Sequence, residues 1–233
     1  MLIGIAAVLA AFPYTYIQSH GSWAVPIARD WGESVPPGLV FAFQFSLLTT
    51  IALISAFTGS LLHDRYKLPG LGEPREAYRT FIKWGGWAAV AGIFLGWFLH
   101  DRFFYAVVPA KTGIYMYPKD IFTSATLVVQ TVFTKEVIFR FGLLTLAVGL
   151  FRGKHNTLAV ILTALFAPAL SLRQLLFVDY AFFDFHTVST LIWSLSLNLL
   201  VGFIYVKKGL FSTMTVRMCV DLRYLIYPLL GMI

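Results

Sequence analysis

The sequence predicts an all-α, polytopic membrane protein with about seven transmembrane helices in one bundle. Of its 233 residues, 58% are hydrophobic and only 12% are charged, and the mean hydropathy is +0.76. A soluble domain of this length carries roughly 25% charged residues. The apolar runs approach about 20 residues, the length that a helix needs to cross a bilayer. They are continuous and do not alternate with the short period of barrel strands.

Seven apolar segments can be drawn along the chain. They cover residues 1–17, 38–63, 83–99, 122–151, 157–177, 187–206 and 210–232. The second segment follows the run Val35-Pro36-Pro37, which suits a helix start because proline is tolerated in a first helical turn. No stretch is left over for a separate soluble domain, so residues 1–233 are expected to form a single integral membrane domain.

Basic residues concentrate in three connecting loops, at residues 64–83, 152–156 and 207–208. By the positive-inside rule, these loops face the cytoplasm, or the matrix of an organelle. The net charge of +7 is spread over short loops, which predicts contact with anionic lipid headgroups and not with nucleic acid. The lipid bilayer is therefore the first expected partner.

The two longer loops on the opposite side, residues 19–37 and 100–120, are rich in aromatic residues. Such residues are typical of a membrane interface, or of a docking surface for neighbouring membrane subunits, because aromatic side chains dominate contact energies. The single cysteine, Cys219, excludes an intrachain disulfide and a metal site built on cysteines. No cofactor is predicted.

Two groups of charged residues lie inside the apolar segments, where a charge costs roughly 2.5–3.5 kcal/mol at a helix centre. They are Lys135, Glu136 and Arg140 in the fourth segment, and Arg217 and Asp221, with Arg223 nearby, in the seventh. Glu136 precedes Arg140 by four residues, and Arg217 precedes Asp221 by four, so each pair can neutralise itself on one helix face. We expect the two faces to meet in the bundle core as one structural network.

The run Lys135–Arg140 resembles the Glu-Glu-x-x-x-Arg motif of the CPBP family, which comprises type II CAAX prenyl proteases and bacteriocin-processing enzymes. The family's second motif, Phe-x-x-x-His, falls on Phe166 and Leu170. Its third motif, His-x-x-x-Asn or Asp, falls on Arg217 and Asp221. The resemblance extends over residues 122–233 and implies that this region forms a CPBP-like core.

The resemblance implies a degenerate member of the family. In the family the first Glu is the proposed general base and the two His complete the site, but here these positions hold Lys135, Leu170 and Arg217. A base must accept a proton, whereas leucine has no polar group and arginine stays protonated. No catalytic residue is expected, and Glu136 is the candidate base only if the protein is active.

Two histidines outside the motifs are candidates to replace the missing ones. His155 falls in a basic loop and His186 begins the sixth segment, so both are expected to be loop or interfacial residues. His20, His63 and His100 each sit at a segment end, as interfacial residues do. No two histidines have the four-residue spacing of a helical zinc site, and no metal is predicted.

Three functions remain open at this stage. The favoured one is a non-catalytic CPBP-fold protein that serves as a structural or assembly subunit of a larger membrane complex. The second is an active CPBP-type glutamic intramembrane endopeptidase that cleaves CAAX or leader peptides with Glu136 as base, although a Glu one position along a helix points about 100° away. The third is a transporter or a lipid- or pigment-binding protein, although the sequence lacks the repeated broken helices of secondary transporters.

Overall fold

The computed structural model of the chain describes residues 2–20, 36–103, 105, 118, 120–177 and 185–231. All regular secondary structure in these ranges is helical and forms seven helices, which confirms the predicted all-α class. The helices are α1 (Leu2–His20), α2 (Pro37–Leu62), α3 (Pro74–Asp101), α4 (residues 121–150), α5 (Asn156–Phe177), α6 (Phe185–Lys208) and α7 (Leu210–Asp221, resuming after Leu222 as Arg223–Leu229). Most of the predicted aromatic loops, residues 19–37 and 100–120, lies outside the described residues.

Four of these helices, α1, α2, α3 and α6, are long and apolar enough to cross a membrane. They also expose large apolar side chains, such as Phe57, Trp87 and Phe94, which are 65%, 73% and 69% exposed. Apolar surface of this extent is suited to contact with lipid and not with water. These features indicate a membrane protein, while membrane crossing by α4, α5 and α7 stays a prediction.

Helix α4 forms the centre of the bundle and contacts α1, α2, α6 and α7. Its fully buried apolar side chains are Val137, Leu144 and Val148. Two hydroxyl groups tie it to its neighbours. The Thr134 hydroxyl donates to the Ala7 carbonyl of α1 at 2.6 Å, and the Thr145 and Tyr205 hydroxyls share a hydrogen bond of 2.7 Å to α6. The segment that carries the first charged group is therefore held on several sides.

Helices α2 and α4 cross at small residues. A Cβ built on Gly59 would lie 2.3 Å from the Phe141 carbonyl oxygen, and one built on Gly142 would lie 2.4 Å from the Ser55 Cβ. Small residues at such crossings let helix backbones approach closely, which favours association of helices in lipid. The close approach positions α4 against α2.

We expect Gly59→Ala to destabilise the protein by about 1–3 kcal/mol, because the added methyl group overpacks the crossing. Gly86→Ala is the matched control, since it makes the same change in a helix where nothing lies within 4 Å of the built Cβ. Alanine also favours a helix over glycine, so the control is expected to leave stability unchanged or slightly raised. Thermal unfolding in detergent measures both variants, and equal melting temperatures for the two would contradict the prediction.

The three basic stretches meet at one end of the bundle. The Leu210 and Phe211 amides donate to the Gly70 and Leu71 carbonyls at 3.0 and 2.9 Å, which joins the loop before α3 to the turn before α7. A Cβ built on Gly153 would lie 3.6 Å from the Tyr66 ring, so the loop between α4 and α5 lies beside the same segment. The membrane side that this end faces stays a prediction.

The predicted loop 64–83 is shorter than expected, because α3 begins at Pro74. Proline suits the first turn of a helix, where its missing N–H is not needed. The Arg79 guanidinium then pairs with Glu76 at 2.8 Å across this polar first part of the helix. Hydropathy predicts that this helix begins at residue 83, because hydropathy detects only the apolar part of a helix and not its charged first turns.

Candidate functional site

The charged residues of α4 lie on unusually wide helical turns. Residues Thr131–Lys135 and Val137–Leu144 are π-helical and flank Glu136. π-Helical turns are rare and often occur at functional sites. They also change the angle between successive side chains relative to a regular α-helix.

Glu136 and Arg140 form a buried ion pair within α4. The Arg140 Nε and Glu136 Oε2 atoms lie 3.4 Å apart, and the two side chains are only 1% and 3% exposed. The Arg140 Nη2 group also donates a hydrogen bond to the Asn198 side-chain oxygen of α6. The contact at 3.4 Å does not have hydrogen-bond geometry, and Arg140 Nη1 makes no hydrogen bond to a described residue. The pair is therefore electrostatic and links α4 to α6.

Arg217 and Asp221 form the second pair, within α7. The Arg217 Nε group donates to Asp221 Oδ2 at 2.7 Å. The Thr131 hydroxyl of α4 donates to the same oxygen at 2.9 Å. Asp221 is fully buried, so this bond fixes the rotation of α7 against α4.

Arg223 connects that pair to the end of α3. Its Nη1 group donates to Asp221 Oδ1 at 2.8 Å, and its Nε group donates to Asp101 Oδ2 at 2.6 Å. The Arg223 side chain is 2% exposed and both carboxylates are fully buried. One guanidinium group therefore connects two buried acids from different helices.

Two further groups complete the environment of Asp101. The Tyr227 hydroxyl donates to Asp101 Oδ2 at 2.9 Å, and His100 Nδ1 lies 2.9 Å from Asp101 Oδ1. His100 is 8% exposed. Its ring is therefore buried beside a carboxylate, while the expectation that His100 lies at the membrane interface stays a prediction.

Sequence reasoning missed Asp101 because it directly follows the apolar run of residues 83–99 and resembles an ordinary helix end. One signal could have found it. Arg223 has no acid three or four residues away, so a carboxylate from another helix was a reasonable partner to look for. The sequence could not say which helix supplies it.

The two predicted groups are neighbours but do not bond to each other directly among the described residues. The charges of Arg217 and Asp221 lie within electrostatic range of Glu136, and Arg217 makes its ion pair with Asp221. The structure thus brings Glu136, Arg140, Arg217 and Asp221 into one region between α4, α6 and α7.

Lys135 differs from the other charged residues of this region. Its side chain is exposed, whereas Glu136 beside it is 2% exposed. In the part of the chain that the structure describes, no carboxylate oxygen lies within 4.0 Å of its ammonium group. The first position of the family motif is therefore open, and the second points into the protein.

The second motif does not join this region in the described part of the structure. Phe166 is 55% exposed, and the side chain of Leu170 lies outside the described residues. The ring of His155 lies 6.3 Å from that of Phe151, and the ring of His186 stacks on Phe103 at 5.0 Å. Within the described ranges, no group of three His, Cys, Asp or Glu side chains could hold a metal ion.

The fold and this region define an all-helical membrane protein with a buried network of ion pairs. Compared with models of protein families, with curated proteins and with solved structures, the chain has no significant match in any of the three. The resemblance to the CPBP family therefore stays a prediction that depends on the motif positions.

Proposed function

We propose that this chain is a non-catalytic membrane protein with a CPBP-like core, and that it serves as a structural or assembly subunit of a larger membrane complex. One observation carries the non-catalytic part of the proposal. The motif position that is open to its surroundings holds Lys135, whereas the only carboxylate of the motif, Glu136, is buried and paired with Arg140.

A general base for hydrolysis must reach a water molecule and accept its proton. Glu136 is 2% exposed and lies against a guanidinium group, which disfavours both requirements. Arg217 and Asp221, at the third motif, are joined to each other and to α4 through Thr131. The polar residues at the motif positions thus hold neighbouring helices together, as expected of a structural protein.

Two features support the role as a subunit: the fixed arrangement of the helices and the apolar outer surface. The ion pair between Arg223 and Asp101 joins α7 to α3, and hydrogen bonds from Arg140 and Thr131 join α4 to α6 and α7. Such a fixed arrangement of helices is useful to a protein that others assemble around. Large apolar side chains cover the outer faces of α2 and α3, and in lipid these faces are available to neighbouring helices as well as to acyl chains.

Two measurements test this proposal. Extraction from native membranes with a mild detergent is expected to give an assembly larger than the single chain, together with other membrane proteins in fixed ratio. The purified chain in vesicles is expected to leave prenylated and leader peptides uncut. Migration as a monomer would contradict the subunit role. Cleavage by the wild type that a folded Glu136→Gln variant lacks would instead establish the endopeptidase.

A further inference from the structure

Among the described residues, the region of the ion pairs carries one positive charge, on the exposed Lys135, that no carboxylate within 4.0 Å neutralises. It contains three carboxylates and three guanidinium groups, which belong to Asp101, Glu136 and Asp221 and to Arg140, Arg217 and Arg223. Each of these groups takes part in at least one ion pair. The ammonium group of Lys135 is left over, and an unpaired charge inside a membrane is costly.

Lys135 also lies close to other positive charges. Thr131, four residues before Lys135 on α4, donates to Asp221, which also binds Arg217 and Arg223. Both guanidinium groups are therefore near the ammonium group of Lys135, as are the Asp221 and Glu136 carboxylates. Both oxygens of Asp221 are already used, by Arg217 and Thr131 on one side and by Arg223 on the other. The Asp221 carboxylate therefore has little capacity left to accept a hydrogen bond from Lys135.

Arg217 likewise has unused donors. Only its Nε group makes a hydrogen bond to a described residue, so the N–H groups of its two terminal nitrogens are unpaired there. Its side chain is 13% exposed. An ammonium group and an open guanidinium edge, both accessible and mutually repelling, form an environment that an anion would stabilise.

We propose that Lys135 and Arg217 form a binding site for the anionic head of an amphiphile, a phosphate or carboxylate group carried on an apolar chain. The planar edge of Arg217 matches two oxygens of such a group, and Lys135 adds a second positive charge. One bound anion neutralises the excess charge of the region.

The apolar surroundings favour an amphiphile over a free ion. Met218, next to Arg217 on α7, is 46% exposed, and Phe133 on α4 is 37% exposed. A molecule that arrives from the bilayer can bury its chain against such surfaces while its head reaches the two cations. This inference depends on the membrane character of the chain and not on its role as a subunit, so the two proposals can fail separately.

The test uses the purified full chain in uncharged detergent. Phosphatidic acid and oleate are the anionic probes, and diacylglycerol and oleyl alcohol are the same molecules without the charge. Binding is read by native mass spectrometry and by the shift in unfolding temperature. We expect both anionic probes to bind, the uncharged ones not to, and Lys135→Met to weaken binding by about tenfold or more, as loss of a charge-assisted contact does.

Lys207→Met is the matched control, because it removes a lysine from a different place, an open surface pocket of about 770 Å³ between α2, α3 and α6 that two lysines and two glutamates line. It is expected to leave binding unchanged. Arg217→Lys retains the charge, loses the planar edge, and is expected to weaken phosphatidic acid binding less than Lys135→Met does.

Three results would overturn the proposal. The first is equal binding by wild type and Lys135→Met, or loss of binding in Lys207→Met alone. The second is inorganic phosphate binding as tightly as phosphatidic acid, which would indicate a free ion. The third is a copurifying membrane protein whose removal opens the site, which would indicate that a partner's carboxylate occupies it.

Discussion

Removing one charge of the Glu136–Arg140 pair is expected to destabilise the folded protein by about 3–5 kcal/mol, because the remaining charge is buried without its partner. Glu136→Met leaves the Arg140 guanidinium group, and Arg140→Met leaves the Glu136 carboxylate. The double variant is expected to cost less than either single change, since no unpaired charge remains. It is not expected to be neutral, because Asn198 loses the hydrogen bond from Arg140. Unfolding by denaturant in mixed micelles measures all three variants.

The surface pair Glu76–Arg79 is the control for this double-mutant cycle. Its charged atoms are closer, at 2.8 Å against 3.4 Å, but its side chains are 33% and 58% exposed. Exposed pairs contribute little, so single and double changes there are expected to have no large effect. Equal damage from the single and double changes at Glu136 and Arg140 would show that the pair is not structural.

Arg223→Met is expected to have the largest effect of any single change in the network. It removes a guanidinium group that pairs with both Asp101 and Asp221, and the side chain is 2% exposed. Breaking one buried ion pair costs about 3–5 kcal/mol. This change breaks two, which leaves Asp101 without a guanidinium partner and Asp221 with Arg217 alone. We expect little folded protein to be recovered, as measured by the yield of monodisperse protein on size exclusion and by the unfolding temperature.

A second change makes this prediction sharper. Asp101→Asn removes the charge that is left without a guanidinium partner and keeps an oxygen that can accept from the Tyr227 hydroxyl. The pair of changes Arg223→Met and Asp101→Asn is therefore expected to restore part of the folded yield. Arg79→Met, which removes an exposed arginine, controls for the loss of a positive charge. An Arg223→Met protein as stable as the wild type would contradict the assignment of Arg223 as the link between α3 and α7.

Interactions within one helix were predictable from spacing. Arg217 and Asp221 are four residues apart, and they form a direct hydrogen-bonded ion pair. Glu136 and Arg140 have the same spacing and also face each other, although at 3.4 Å and on π-helical turns. In both cases the helix brings the two side chains onto one face, whatever the rest of the bundle does.

Interactions between helices were not predictable in this way. Asp101 and Arg223 are separated by 122 residues, and Thr131 and Asp221 by 90. Such contacts depend on the depth and rotation of each helix in the bundle. Two π-helical segments in α4 alter that rotation, and the local sequence does not predict them.

The sequence by itself predicted the helical membrane class. A chain with so few charged residues can satisfy its backbone in lipid only by helices or closed barrels, and its apolar runs are continuous and lack the alternation of barrel strands. The sequence also identified the charged residues of α4 and α7 as candidates for a buried network, because charged residues are rare within apolar segments. Only the tertiary structure decided that Glu136 is buried while Lys135 is open, that Arg223 joins α7 to Asp101, and that His100 is interior. Burial and partner choice result from how seven helices pack together, and each helix alone leaves them undetermined.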